Sequence, residues 1–169
     1  AAGNQWQWQD GAQTFTGTFN RLNQLYRYVT TGVNHDYGFT VDGERTLDRD
    51  NTANTRALWI RDLSGKVLRE YTRSSGGVWS WSKDYIYRNG LHVASITASA
   101  TRHFALDHLG TLRRGTTTDA TPVLDTALTR DFYPFGIEAT AASGADRMRF
   151  TGHERDPHSA STINDDLDY

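Results

Sequence analysis

The stretch Leu106-Asp107-His108-Leu109-Gly110-Thr111-Leu112 sets the frame for the whole chain. A short aspartate at the end of an apolar run caps a turn with its side chain, and glycine supplies the positive φ that closes it. Leu112 then restarts the apolar run. The same shape recurs in Arg61-Asp62-Leu63-Ser64-Gly65-Lys66-Val67 and in Phe19-Asn20-Arg21-Leu22-Asn23-Gln24-Leu25. In the latter, Asn20 replaces the aspartate and Asn23 the glycine. Val41-Asp42-Gly43-Glu44-Arg45 reads as a shortened copy. Each unit is one hairpin. A lone hairpin cannot bury its face, so neighbours must lie edge to edge.

Working outward, Asp42-Gly43 and Asn89-Gly90 are strong hairpin-turn signals, because both residue types tolerate positive φ. Ser64-Gly65, Ser74-Ser75-Gly76-Gly77 and Leu109-Gly110 are weaker signals of the same kind. Between them the sequence predicts strands over 56–61, 66–72, 78–87, 91–97, 101–106 and 126–133, and polar loops over 48–54 and 116–122. In 78–87 the alternation places Trp79, Trp81, Tyr85 and Tyr87 on one face, with Lys83 interrupting. Val78, Ser80, Ser82, Asp84 and Ile86 fall on the other. Trp6 and Trp8 alternate with Gln5, Gln7 and Gln9 in the same way. No segment carries the period of an amphipathic helix.

Composition agrees. The chain has 169 residues, 12% of them aromatic, with 15 Gly and only three Pro. That is enough for one ordinary domain. A formal net charge of −2, from 18 basic and 20 acidic residues spread along the chain, argues against nucleic-acid binding. No run approaches the roughly 18 apolar residues of a membrane helix, so membrane insertion is not expected. The absence of cysteine removes disulfides, thiolate metal sites and Cys nucleophiles together. Both ends read as cuts in something longer.

Each chemistry-bearing cluster in the sequence has a simpler role open to it. His153-Glu154-Arg155-Asp156-Pro157-His158 has the wrong His spacing for a zinc helix, and Pro157 would interrupt one. His103 and His108 flank Asp107 and could hold a metal, but a turn cap explains the aspartate more simply. His35-Asp36-Tyr37 reads as a strand-edge polar network. Asp165, Asp166 and Asp168, like Asp48, Asp50 and Asn54, lack the ligand pattern of a calcium loop. No Gly-x-Ser-x-Gly elbow occurs. The aromatic stripes could stack sugars, although a cross-strand ladder stabilising the sheet is the preferred account. Arg113, Arg114, Arg147 and Arg149 read as partners for the many aspartates.

The repeats, followed in order by Trp81-Ser82-Lys83-Asp84-Tyr85-Ile86-Tyr87-Arg88-Asn89-Gly90, Arg102-His103-Phe104-Ala105-Leu106-Asp107-His108-Leu109-Gly110, Tyr133-Pro134-Phe135-Gly136 and Arg149-Phe150-Thr151-Gly152-His153-Glu154-Arg155-Asp156, resemble the YD repeats and repeat-associated core of RHS (rearrangement hot spot) proteins. That family includes teneurins and the C component of Tc toxins. The resemblance covers 56–169, and 1–55 resembles looser upstream hairpins. It implies an all-β spiral of consecutive antiparallel hairpins, closing in the family into a hollow shell around a C-terminal cargo. The family's self-cleaving aspartyl-protease-like site lies beyond Leu167-Asp168-Tyr169, so no residue here carries it.

The expectation is therefore a non-enzymatic β-scaffold of a secreted or cell-surface bacterial protein, without cofactor or metal. It would build a shell or a self-assembling filament by edge-strand pairing, with copies of itself or flanking repeats of a parent chain as partners. Structural turn residues are Asp62, Gly65, Asn89, Gly90, Asp107, Gly110, Pro134 and Gly136. The alternatives are a carbohydrate-binding module using Trp6, Trp8, Trp79, Trp81, Tyr85 and Tyr87, and a remnant of a self-processing toxin-delivery core.

Overall fold

The computed structural model describes residues 7–10, 12–118, 121–132 and 139. Five equivalent turns organise them. At each, the backbone N–H of a capping residue donates to the carbonyl four residues on, and the N–H three residues on donates back to the cap's carbonyl. The caps are Asn20, Thr40, Asp62, Ser74 and Asp107, with N···O distances between 2.8 and 3.2 Å. The third residue after each cap has positive φ: Asn23 (67°), Gly43 (94°), Gly65 (85°), Gly77 (89°) and Gly110 (81°). A register shift follows beside the caps at 20, 40, 62 and 107. This is the three-residue hairpin loop in which a turn ends on a left-handed residue and a bulge.

Two turn expectations change. Val41-Asp42-Gly43-Glu44-Arg45 is no shortened copy: the unit begins at Phe39 and its cap is Thr40, whose Oγ1 accepts the Glu44 N–H at 3.1 Å. Ser74-Ser75-Gly76-Gly77 is a full member of the set. Asn89-Gly90 is the tight two-residue turn expected, with both residues at positive φ (52° and 82°).

Between the turns run β1 (Gln7–Asp10), β2 (Gln13–Phe19), β3 (Leu25–Thr30), β4 (Val33–Phe39), β5 (Arg45–Asp50), β6 (Thr55–Arg61), β7 (Val67–Arg73), β8 (Trp79–Arg88), β9 (Leu91–Ile96), β10 (Thr101–Leu106), β11 (Leu112–Thr118) and β12 (Val123–Asp125). Among the described residues there is no α-helix, only a 3-10 turn at Thr126–Leu128. The protein is all-β, built from consecutive antiparallel hairpins whose strands neighbour one another in chain order. The chain divides into two compact units, Ala1–Lys83 and Asp84–Tyr169, with the division inside β8.

Three local expectations are corrected. Within 126–133, Thr126–Leu128 is a 3-10 turn and not strand, and it drops Leu128 against Gly115, a position with no side chain to exclude it. The loop expected over 116–122 is strand through Thr118, because Thr116 and Thr117 pair with Leu124 and Val123. The polar stretch 48–54 is half strand. β5 continues to Asp50, and only 51–54 turn, with Asn54 at φ 54°.

Packing follows the two-residue period. In the first unit Phe15, Tyr28 and Tyr37 are buried together, with Leu25, Val33 and Phe39 against them. The Phe15 and Tyr28 rings lie 6.2 Å apart. Each such aromatic contributes about 1.5–3 kcal/mol by leaving water. In the second unit Tyr85, Ala94, Leu112 and Leu128 are buried. The His92 ring sits among Tyr85, Tyr87 and Phe104, at 5.2, 5.4 and 4.8 Å between centroids.

Candidate functional site

The turn caps form the most regular chemistry in the molecule. Asp107 Oδ1 accepts the N–H groups of Leu109 (2.9 Å) and Thr111 (3.0 Å), while Oδ2 takes Arg113 Nε (3.0 Å) and Nη2 (2.9 Å). Asp62 Oδ1 accepts from Ser64 N (2.8 Å), Ser64 Oγ (2.8 Å) and Lys66 N (2.9 Å). Asn20 Oδ1 does the same for Leu22 and Gln24. The Ser64 hydroxyl leads in holding the Asp62 carboxyl below its ordinary value; burial opposes, and the Lys66 and Ser64 N–H groups and the Lys66 charge add to the lowering. For Asp107, burial pushes upward but is outweighed by the Thr111 and Leu109 N–H groups and Arg113. Asp107 is therefore committed to its turn, and His103 and His108 are exposed on either side of it. Arg114 meets Asp131 at 3.5 Å.

Successive turns also interlock. After the first two caps, the residue four on reaches the glycine of the next turn: Gln24 Nε2 covers Gly43, and Glu44 covers Gly65. Arg61 ties the second pair, donating Nε to the Arg45 carbonyl (2.9 Å) and Nη1 to the Gly65 carbonyl (2.7 Å). These contacts link the first three repeats to one another.

A buried polar pair lies deeper. His35 Nδ1 and Asp48 Oδ1 are 2.6 Å apart, with side chains 4% and 9% exposed. Asp50 Oδ2 stands 3.9 Å from Nε2, and the Tyr37 ring stacks on the imidazole at 6.1 Å. The strand-edge network expected of His35-Asp36-Tyr37 is thus corrected. β4 is paired on both sides, and alternation sends Asp36 to the opposite face, where Arg27 Nε (2.8 Å) and Asn51 Nδ2 (2.8 Å) bind it. The Asp48, Asp50 and Asn54 set is likewise spent on structure. Asp50 Oδ1 accepts the Thr52 and Ala53 N–H groups, and Asn54 donates to the Ser75 carbonyl. Among the described residues no three His, Cys, Asp or Glu converge on a metal position.

The aromatic candidates are divided by burial. Trp79 is 43% exposed and Trp81 half-buried, whereas Tyr85 is 4% exposed and Tyr87 half-buried. A ring enclosed like Tyr85 offers no face to a sugar. Lys83, between Trp81 and Tyr85 in the strand, is buried. Trp8 stands in β1 opposite Phe15. Trp6, Pro134, Gly136, Arg147, Arg149, the segment 153–158, Asp165, Asp166 and Asp168 lie outside the described residues.

At the end of the second unit, β12 pairs with β11, and among the described residues no strand flanks its other side. Val123 and Leu124 are 61% and 52% exposed there. No known family's sequence profile matches the chain, and no curated protein matches it.

Proposed function

We propose that this chain is a non-enzymatic β-scaffold of the RHS/YD-repeat kind, which builds a larger secreted or surface structure when further strands add to its sheet. The observation that carries this reading is the β12 edge. Two exposed aliphatic side chains sit on a strand that, among the described residues, has a neighbour on one side only, which is the arrangement that recruits another strand. The interlocking caps support it, because a repeat whose stability comes from its neighbours extends by adding neighbours. Exposed Leu22, Val41 and Leu63 at the tips of the first three capped turns offer further apolar contact. A second copy or a flanking repeat would supply the added strand. Head-to-tail addition gives a filament, and curvature gives a shell.

Sedimentation velocity across a hundredfold concentration range, with negative-stain electron microscopy of the same samples, tests this. Growth of discrete oligomers or fibres with concentration is expected. A folded species of constant monomer mass throughout would overturn the self-assembling form of the reading.

A further inference from the structure

The face opposite the His35–Asp48 pair carries a row of like charges. Register places Arg27 opposite Asp36, Asp36 opposite Arg49, Arg49 opposite Arg56, and Arg56 opposite Arg73, across β3 to β7. Asp36 is used at one end by Arg27 and Asn51. Among the described residues no carboxylate pairs with Arg49, Arg56 or Arg73, and Arg73 Nη1 is enclosed without a hydrogen-bond partner. Like charges directly opposite one another destabilise a sheet. Partial desolvation, and then the charges of Arg49 and Arg73, hold the Arg56 guanidinium below its ordinary value. Three arginines kept side by side are complementary to negative charge.

A second row runs parallel to this one, two residues along each strand. Leu47 is opposite Leu58, and Leu58 is opposite Tyr71, all half-buried on the same face. A ligand lying across β5, β6 and β7 therefore meets a positive charge about every 4.8 Å, the strand spacing, and an apolar shelf beside it. We propose that this face binds an acidic polysaccharide, a linear chain of uronate sugars, with carboxylates on Arg49, Arg56 and Arg73 and ring C–H faces on Leu47, Leu58 and Tyr71. A hexuronate chain carries one carboxylate per ring and an apolar ring face beside it. A nucleic acid would ask for several stacking aromatics, and this shelf has one. Guanidinium–carboxylate forks supply the attraction. This inference stands independently of the scaffold reading, because none of these residues lies at the β12 edge.

Fluorescence anisotropy of labelled hexagalacturonate at low ionic strength is the test, with fully methyl-esterified hexagalacturonate, a hexaglutamate peptide and single-stranded DNA as competing probes. Saturable binding is expected, weakened about tenfold by Arg56→Gln and largely lost in the Arg49→Gln/Arg56→Gln/Arg73→Gln variant. It should also weaken with salt, and the ester should fail to bind. Arg56→Gln should keep or raise the thermal midpoint, since it relieves repulsion. If that variant does not fold, Arg49→Gln at the exposed end of the row gives the same readout. No hexagalacturonate binding, binding indifferent to these substitutions, equal binding of the ester, or preference for the peptide or DNA would each overturn the proposal.

Discussion

Glu44 lies over Gly65. Its Oε1 is 2.8 Å, and its Cδ 2.9 Å, from where a β-carbon on Gly65 would stand, and Gly65 holds φ at +85°. Backbone handedness is what requires glycine in this turn, and the side chain of the turn before it lies across the space a β-carbon would enter. The two can be separated. Gly65→Ala should cost about 1–2 kcal/mol through the left-handed backbone. Glu44→Ala should not rescue it, because a flexible exposed side chain moves aside at little expense. Gly65→Asn should cost less than Gly65→Ala, since Asn23 occupies the equivalent place at φ 67°. Urea denaturation of the four variants checks this; rescue by Glu44→Ala would contradict it.

Gly115 presents the opposite case, a steric requirement. A β-carbon there would meet Leu128 Cδ1 at 2.5 Å and Cβ at 2.7 Å. Gly115→Ala should destabilise the second unit by about 1–3 kcal/mol through overpacking. Leu128→Ala leaves a cavity of its own, yet the double variant should be more stable than the sum of the two losses predicts. Strict additivity in chemical denaturation would show that the 3-10 turn does not pack where described.

The capping aspartates give the fold an acid limb. Asp62 and Asp107 have lowered pKa in the folded protein, while in the unfolded chain they titrate near about 3.9. Their contribution is therefore complete above that value and is lost as pH falls through the lower folded pKa. Asp62→Asn with Asp107→Asn should flatten stability below about pH 4. At pH 7 the double variant should retain much of its stability, because Asn20 caps its turn with the same two bonds. Thermal melts at pH 2.5, 4 and 7 report this; an unchanged acid limb would contradict it.

The His35–Asp48 pair should behave as a unit. His35→Ala or Asp48→Ala strands a buried polar partner and should cost about 3–5 kcal/mol. His35→Phe/Asp48→Leu should lose clearly less than the two alanine variants summed. A double-mutant cycle with no coupling would place the two side chains apart.

What was legible in the sequence was local. Asp62 through Gly65, Asp107 through Gly110, and Asn89-Gly90 each contain their whole turn chemistry within four residues, and the strand read over 101–106 coincides with β10. Thr40 was missed because Asp42-Gly43, a stronger dipeptide signal, sits inside its turn. The 3-10 turn at Thr126–Leu128 was missed because β-type letters there are overruled by a notch at Gly115, eleven or more positions earlier. The partner of His35 could not be read either. Asp36, Asp42, Asp48 and Asp50 are all near in sequence, and only register selects Asp48. The arginine row is invisible for the same reason: Arg49, Arg56 and Arg73 become neighbours only once three strands are aligned.

The most direct measurement is amide hydrogen exchange of β12, Val123–Asp125, followed by mass spectrometry as protein concentration rises. The scaffold account predicts that this segment becomes slower to exchange as a partner strand adds beside it, and that Leu124→Pro abolishes the slowing while the peptides of β2 to β7 stay as protected as before. Exchange in β12 that is independent of concentration, in a chain that is otherwise fully protected, would contradict it.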